Sequence, residues 1–168
     1  MDQIAENIKD FILANVNAEL LGLAKTGLTL PAITKDNIVF GTVDLSRYEV
    51  PVVVSILPEN QEPEPGFIDG TSQRSAFTVT FLFQKATYKV LVKRMCRYAR
   101  AFWIAHAKEP DFGDLEESVI TNIQYYPDTG AVAQQMTAFE LSLDAITEFE
   151  LEAYTPPEPE EEEEVIES

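Results

Sequence analysis

The sequence predicts one α+β domain in which an antiparallel sheet of about four to five strands packs against two helices. Three observations support this fold class. Apolar residues recur at helical spacing between residues 85 and 108, and the strict alternation of residues 75–84 is typical of a strand. Proline and glutamate dominate residues 155–168, which carry too little apolar area to fold. We therefore expect a domain at residues 1–154 and a disordered acidic tail at 155–168.

The chain begins with an amphipathic stretch at residues 2–15, which predicts a helix. Its apolar stripe consists of Ile4, Ile8, Phe11 and Ile12. The same spacing continues toward Leu23, although Gly22 weakens it, so the sequence leaves the end of this helix open. Because the polar side carries acids rather than a basic band, we expect this helix to pack in the core and not on a membrane surface.

Two strands are expected to form a hairpin before the central helix. Residues 50–57 are nearly all apolar and rich in β-branched side chains, which indicates a strand covered on both faces. Residues 75–84 place one set of apolar side chains on a single face, namely Phe77, Val79, Phe81 and Phe83. Residues 38–40 predict a further short strand, in addition to a main order of α-β-β-α-β-β.

Residues 58–74 predict a long polar loop at the tip of this hairpin. The segment contains three prolines and, at 17 residues, is longer than a hairpin needs. Phe67 and Ile68 form an apolar pair within it. They either fold back onto the domain or anchor in a partner, and for the second case we name them as a candidate assembly loop.

The clearest helix in the sequence lies at residues 85–108. One face is apolar at three- and four-residue spacing and consists of Tyr88, Leu91, Val92, Met95, Ala99, Phe102 and His106. The candidate subunit-interface residues are cations of the same helix, namely Lys89, Lys93, Arg94, Arg97 and Arg100. The aromatic residues Tyr98, Phe102 and Trp103 could stack on nucleic-acid bases, but they are more simply explained as core residues.

A second hairpin is expected after the central helix. Residues 119–126 predict one strand, and residues 126–130 predict a compact turn. The last strand covers residues 133–151, in which apolar and polar residues alternate so that one face is buried and one is acidic. Because this run is long for one strand, we expect a bend or bulge near Asp144 or Thr147.

Charge is distributed unevenly along the chain, whose formal net charge is −17. Residues 155–168 hold seven glutamates and no cation, so the remaining 22 acids and 12 bases leave −10 on the domain. The segment from Gly70 to Lys108, by contrast, contains eight cations and no acid. The basic face of the helix predicted at residues 85–108 is either exposed to solvent or a surface that binds another subunit or lines a channel. General nucleic-acid binding is disfavoured because the acidic domain would repel phosphate.

The sequence contains no catalytic motif, and we predict neither an enzyme nor a bound cofactor or metal ion. Cys96 is the only cysteine and His106 the only histidine. We expect a buried thiol at Cys96 and a hydrogen-bonded core or rim histidine at His106. About 15 Å of helix separates them, which is too far for a nucleophile and its base. No apolar run approaches the ~18 residues of a membrane span, so no membrane association is expected.

The predicted order of elements resembles that of a known family. A helix and a strand are followed by a hairpin at 50–84, a helix at 86–108 and a hairpin at 118–152. This order is similar to that of the tail terminator, or tail completion, proteins of tailed bacteriophages and of the neighbouring head–tail joining proteins. The resemblance covers residues 1–152 and implies an antiparallel sheet packed by two helices, assembled as a hexameric ring on the tail tube.

The resemblance also implies the partners and the location of the protein. The partners would be other copies of the chain, the tail tube protein and a head-completion or neck protein, while DNA passes through the ring without specific binding. The location would be the neck or tail of the virion, after assembly in the host cytoplasm. The family contributes no catalytic residues. Two alternatives stay open: a head–tail adaptor or head completion protein, and a small non-viral protein-binding module.

Overall fold

The computed structural model describes residues 2–24, 27–63, 72–127 and 136–148, and these build one five-stranded sheet with helices packed against it. The helices and strands are α1 (Asp2–Phe11), α2 (Asn17–Leu23), β1 (Ile38–Phe40), β2 (Val52–Pro63), β3 (Ser72–Phe83), α3 (Tyr88–Lys108), β4 (Glu117–Tyr126) and β5 (Thr137–Glu148). The predicted α+β class is confirmed. Among the described residues, no helix combines the length and apolarity needed to cross a bilayer.

The sheet has the strand order β1-β2-β3-β5-β4 and is mixed. Strands β2, β3, β5 and β4 pair in an antiparallel manner, but β1 lies parallel to β2, with Ile38 opposite Val54. The expectation of an antiparallel sheet throughout was therefore wrong for this edge. After β1 the chain crosses back before entering β2, as a parallel pair requires. The Gln84 side chain fixes this crossover by donating hydrogen bonds to the carbonyls of Tyr48 (2.7 Å) and Val50 (3.0 Å).

The hairpin of β2 and β3 is longer than the sequence indicated. The two strands remain paired as far as Pro63 and Gln73, so the prediction of a loop over all of residues 58–74 was wrong. Proline marked the segment as a loop, yet a register shift between Pro58 and Asn60 accommodates proline inside the strand. Residues 64–71, and with them the candidate assembly loop, lie outside the described residues.

The core lies between one face of the sheet and the helices. Phe102 of α3 contacts Phe11 of α1 edge to face, with ring centroids 5.6 Å apart, and Phe81 of β3 at 6.0 Å. Phe81 in turn stacks on Phe139 of β5 at 4.6 Å. The alternation predicted for β3 is confirmed, since its phenylalanines and Val79 are all buried. Phe102 thus links the first helix, the central helix and the sheet.

A wider helical turn at Ile12–Val16 joins α1 and α2, so the first helical region ends at Leu23. The Asn17 side chain donates to the carbonyl of Leu13 at 2.9 Å, inside the wider turn. It also forms two hydrogen bonds with the backbone of Ile33, at 2.8 and 2.9 Å. One amide therefore supports the irregular turn and holds the following connector against the helix.

A bulge in β4 decides which of its side chains face the core. Ile120 lies opposite Leu143 and Asn122 opposite Ser142, which leaves Thr121 as the extra residue. Strict alternation would place Asn122 on the core face with Ile120, but the bulge brings Ile123 there instead. The bend expected near Asp144 or Thr147 was therefore assigned to the wrong strand, because the irregularity lies in their neighbour β4.

We predict that deleting Thr121 changes the free energy of unfolding by no more than about 1 kcal/mol. The deletion removes the bulge, and strict alternation then keeps Ile120 and Ile123 on the core face and Asn122 toward solvent. Thr121→Ala is the control because it keeps the bulge and removes only a 3.3 Å hydrogen bond to the carbonyl of Ser142. Urea unfolding followed by circular dichroism measures both. A loss of about 2 kcal/mol or more from the deletion alone would contradict the assigned pairing, because it would mean that Asn122 had been moved into the core.

We predict that Phe102→Ala lowers the free energy of unfolding by about 3–5 kcal/mol, because it leaves a cavity where two helices meet the sheet. Trp103→Ala changes an adjacent aromatic that is 56% exposed, and should cost no more than about 0.5 kcal/mol. Chemical unfolding monitored by circular dichroism compares them without using the tryptophan as a probe. A similar loss of unfolding free energy in both variants would contradict the orientation of α3, in which Phe102 faces the core and Trp103 faces solvent.

Candidate functional site

Helix α3 presents two faces of different chemistry. Its buried side chains are Leu91, Met95, Tyr98, Ala99, Ala101, Phe102 and Ala105. The sequence predicted most of this face, but Tyr88 is 45% exposed in the first turn, so its assignment to the apolar face was wrong. The opposite side of α3 is directed away from the sheet and carries the predicted cations.

The basic face of α3 consists of Lys89, Lys93, Arg97 and Arg100. Three- and four-residue spacing places these side chains together, with Arg97 half-buried and the others exposed. Within the described ranges, no ion pair involves any of the four. The cations that flank these four do have partners: Lys108, at the end of the helix, pairs with Glu19, and Lys85, three residues before the helix begins, pairs with Glu49 at 3.0 Å. The unpaired positive charge is therefore concentrated in the body of the helix.

Arg94, the fifth predicted interface residue, lies away from this face. Its Nε donates a 3.0 Å hydrogen bond to the carbonyl of Thr29, and one turn later the Tyr98 hydroxyl donates to the carbonyl of Pro31. Burial raises the pKa of the Tyr98 phenol, which keeps it in the neutral form that donates. Arg94 therefore helps to hold the connector between α2 and β1 against α3, a role that the helical spacing alone does not reveal.

An open groove of about 490 Å³ runs along the basic face. It is lined by Gly27, Leu28, Val92, Lys93, Cys96, Arg97 and Arg100. Three cations of the basic face thus border one concave surface whose other wall is partly apolar. Carboxylates match such a surface, because arginine and lysine donate several charge-assisted hydrogen bonds to them.

Cys96 is exposed in the middle of the basic face, so the expectation of a buried thiol was wrong. The reason is angular: Cys96 lies three residues after Lys93 and four before Arg100, which turns it toward the cations. Tyr125 of β4 is near enough to Cys96 to interact with it electrostatically. Burial raises the pKa of the Tyr125 phenol, and the neighbouring Cys96 raises it further.

Trp103 extends the basic face with an exposed aromatic ring. It lies one turn after Arg100, and its 56% exposure contradicts the assignment to the core. The same assignment is correct for Tyr98 and Phe102, which are fully buried. Angular position in α3 distinguishes the three residues, whereas their aromatic character does not. The exposed side of α3 therefore combines four cations, one thiol and one indole.

His106 forms a hydrogen-bond chain near the end of α3. Its Nε2 lies 2.8 Å from the Ser118 hydroxyl oxygen, and Ser118 donates its own hydrogen to the carbonyl of Pro110. Nε2 is therefore the donor, and the neutral ring carries its proton there. This confirms the expectation of a hydrogen-bonded core or rim histidine. In the part of the chain that the structure describes, no group of three or more His, Cys, Asp or Glu residues could hold a metal ion.

Comparison with known proteins adds little to this description. No family model matches the chain, and no curated protein matches it. One solved structure, whose name states no function, is 18% identical and covers 86% of this chain and 98% of its own, with a TM-score of 0.39. A likeness at that level says nothing about the function of this chain.

We predict that His106 makes the stability of the protein fall as the pH drops below 6.5. Burial lowers the pKa of folded His106 below its ordinary 6.5, so the unfolded chain takes up a proton more readily. The stabilisation is present above pH 6.5 and is lost as the pH falls through the lowered folded pKa. Between about pH 7.5 and 5.5, the urea concentration at the unfolding midpoint should therefore fall less for His106→Gln than for the wild type. An equal fall of the unfolding midpoint in the two proteins would contradict a lowered pKa of His106 in the folded state.

Proposed function

We propose that the protein is a structural assembly protein that closes into a homo-oligomeric ring, of the kind formed by the tail terminator proteins that its sequence resembles. The observation that carries the proposal is the basic face of α3, whose cations have no ion-pair partner among the described residues of an acidic protein. A surface of this kind is matched most simply by acidic surface on another copy.

The acidic surface that would meet it follows α3 directly. Residues 109–117 expose five carboxylates, namely Glu109, Asp111, Asp114, Glu116 and Glu117. Each copy therefore carries a basic face and an acidic loop at different places on its surface. Contacts between unlike patches are heterologous, and they generate a ring when the rotation between copies closes. Opposite charges would orient the copies during encounter and suppress the wrong contacts.

The free edge of β4 is a second surface suited to assembly. β4 is the last strand of the sheet and pairs only with β5, so within the described residues its other edge has no strand partner. It also exposes Val119 (42%) and Tyr125 (47%). Free strand edges of this length are usually covered or blocked, because they otherwise promote uncontrolled pairing. A neighbouring copy in the ring would cover this one.

The proposal contains no catalytic step. Cys96 and His106 lie on different faces of α3, and His106 is already bonded to Ser118. As the resemblance implies, the ring would cap the tail tube, bind a head-completion or neck protein, and let DNA pass without specific binding. A chain that stays monomeric both at high concentration and on tail tubes would favour the alternative, a small protein-binding module.

We predict that reversing the charge of Lys93, Arg97 and Arg100 to glutamate abolishes ring formation. The reversal places three acids opposite an acidic neighbour, which turns attraction into repulsion. Light scattering at high concentration and negative-stain microscopy measure the assembly. Wild-type rings should also dissociate as salt is raised, since screening weakens contacts between exposed charges.

The matched control reverses Lys9, Lys35 and Arg47, the described cations that precede β2. It changes the net charge by the same amount but leaves α3 untouched, so it should assemble as the wild type does. A normal hexamer from the α3 variant, or equal loss in both variants, would contradict an interface on the basic face.

A further inference from the structure

The basic face of α3 has a second acidic counterpart within the same chain. Residues 155–168 contain seven glutamates and no cation, and they lie outside the described residues. They also include one apolar pair, Val165 and Ile166. The groove along the basic face offers matching chemistry, because its cations lie beside the apolar side chains of Leu28 and Val92.

The end of the described chain leaves the sheet close to α3. β5 ends at Glu148, and two residues earlier Ile146 pairs with Glu117 at the start of β4. The carbonyl of Ile146 also accepts a 3.0 Å hydrogen bond from the backbone of Glu116, in the segment that follows α3. The chain therefore continues from the end of the sheet at which α3 ends.

The length of chain beyond β5 is sufficient to reach the basic face. Nine residues lie between Glu148 and Glu158, the first glutamate of the acidic segment, and the ten Cα–Cα steps that join the two glutamates span up to ~33 Å. Along α3, the distance from Lys108 back to Arg100 is about 12 Å, and to Lys89 about 28 Å. The contour length of the chain beyond β5 is therefore comparable with the length of the basic face.

We propose that residues 155–168 bind the basic face of α3 in the same chain and mask it before assembly. Glutamates of the segment pair with Lys93, Arg97 and Arg100, and Val165 and Ile166 contact the apolar wall of the groove. Tethering gives the segment an effective concentration on the order of millimolar, so weak pairs suffice. The docking stands independently of the ring; its role in delaying ring closure rests on the proposed function.

The single exposed cysteine provides a direct test of the docking. Glu162→Cys places a second thiol in the acidic segment of the full chain, while Cys96 marks the centre of the basic face. A short uncharged bismaleimide at low protein concentration should join the two thiols within one chain. Mass spectrometry of the digest identifies the linked peptides, and a denaturing gel separates monomers from dimers.

The matched control carries Glu162→Cys with the other six glutamates of the segment changed to glutamine. It has the same length and the same thiols but no acidic charge, so the intrachain link should form at least about tenfold more slowly. Equal rates in the two chains would overturn the docking, because tethering alone would then explain the link. Links that form only between chains would also overturn it, since the occupant would then be a second copy.

Assembly provides a separate readout for the masking. The full chain with all seven glutamates of residues 155–168 changed to glutamine should form rings at a lower protein concentration than the wild type. An unchanged threshold, together with a fast charge-dependent crosslink, would overturn the masking and leave the docking established. If neither chain forms rings, the proposed function fails, and the crosslink alone decides the docking.

Discussion

The packing of Phe102 is the contact on which the rest of the structure depends. Its ring meets Phe11 of the first helix and Phe81 of the sheet, and Phe81 stacks on Phe139. These aromatic residues are each buried, and each fully buried ring contributes a large share of the apolar area removed from water. Because two helices and the sheet meet at one side chain, the rotation of α3 about its own axis is fixed.

That fixed rotation determines what α3 presents to its surroundings. With Phe102 and Tyr98 in the core, the cations spaced three and four residues apart are turned to the opposite side. Arg94 lies between these two directions and bonds the connector instead. The positive charge of the candidate site is therefore a consequence of core packing, while the connector that Arg94 bonds supplies the other wall of the groove through Gly27 and Leu28.

Periodicity in the sequence was sufficient to predict α3, the alternation of β3 and the grouping of the basic face. Periodicity was insufficient where one extra residue changes which side chains of a strand face the core. Thr121 shifts the alternation of β4, and this shift depends on pairing with β5, which a single strand does not encode. The parallel pairing of β1 also depends on contacts distant in sequence, including those of Gln84. Cys96 was misplaced because its polarity suits either environment, so angular position alone decides its exposure.

The charges of α3 separate into those that support the fold and those left for another surface. Lys85, just before α3, and Lys108, at its end, are both paired, and such exposed pairs contribute at most about 1 kcal/mol each. The fold is therefore held by its apolar core, and the four unpaired cations between them contribute little to its stability. They are available to carboxylates from a neighbouring copy or from the end of their own chain. Because both would bind the same side chains, one electrostatic surface can drive assembly and also hold it back.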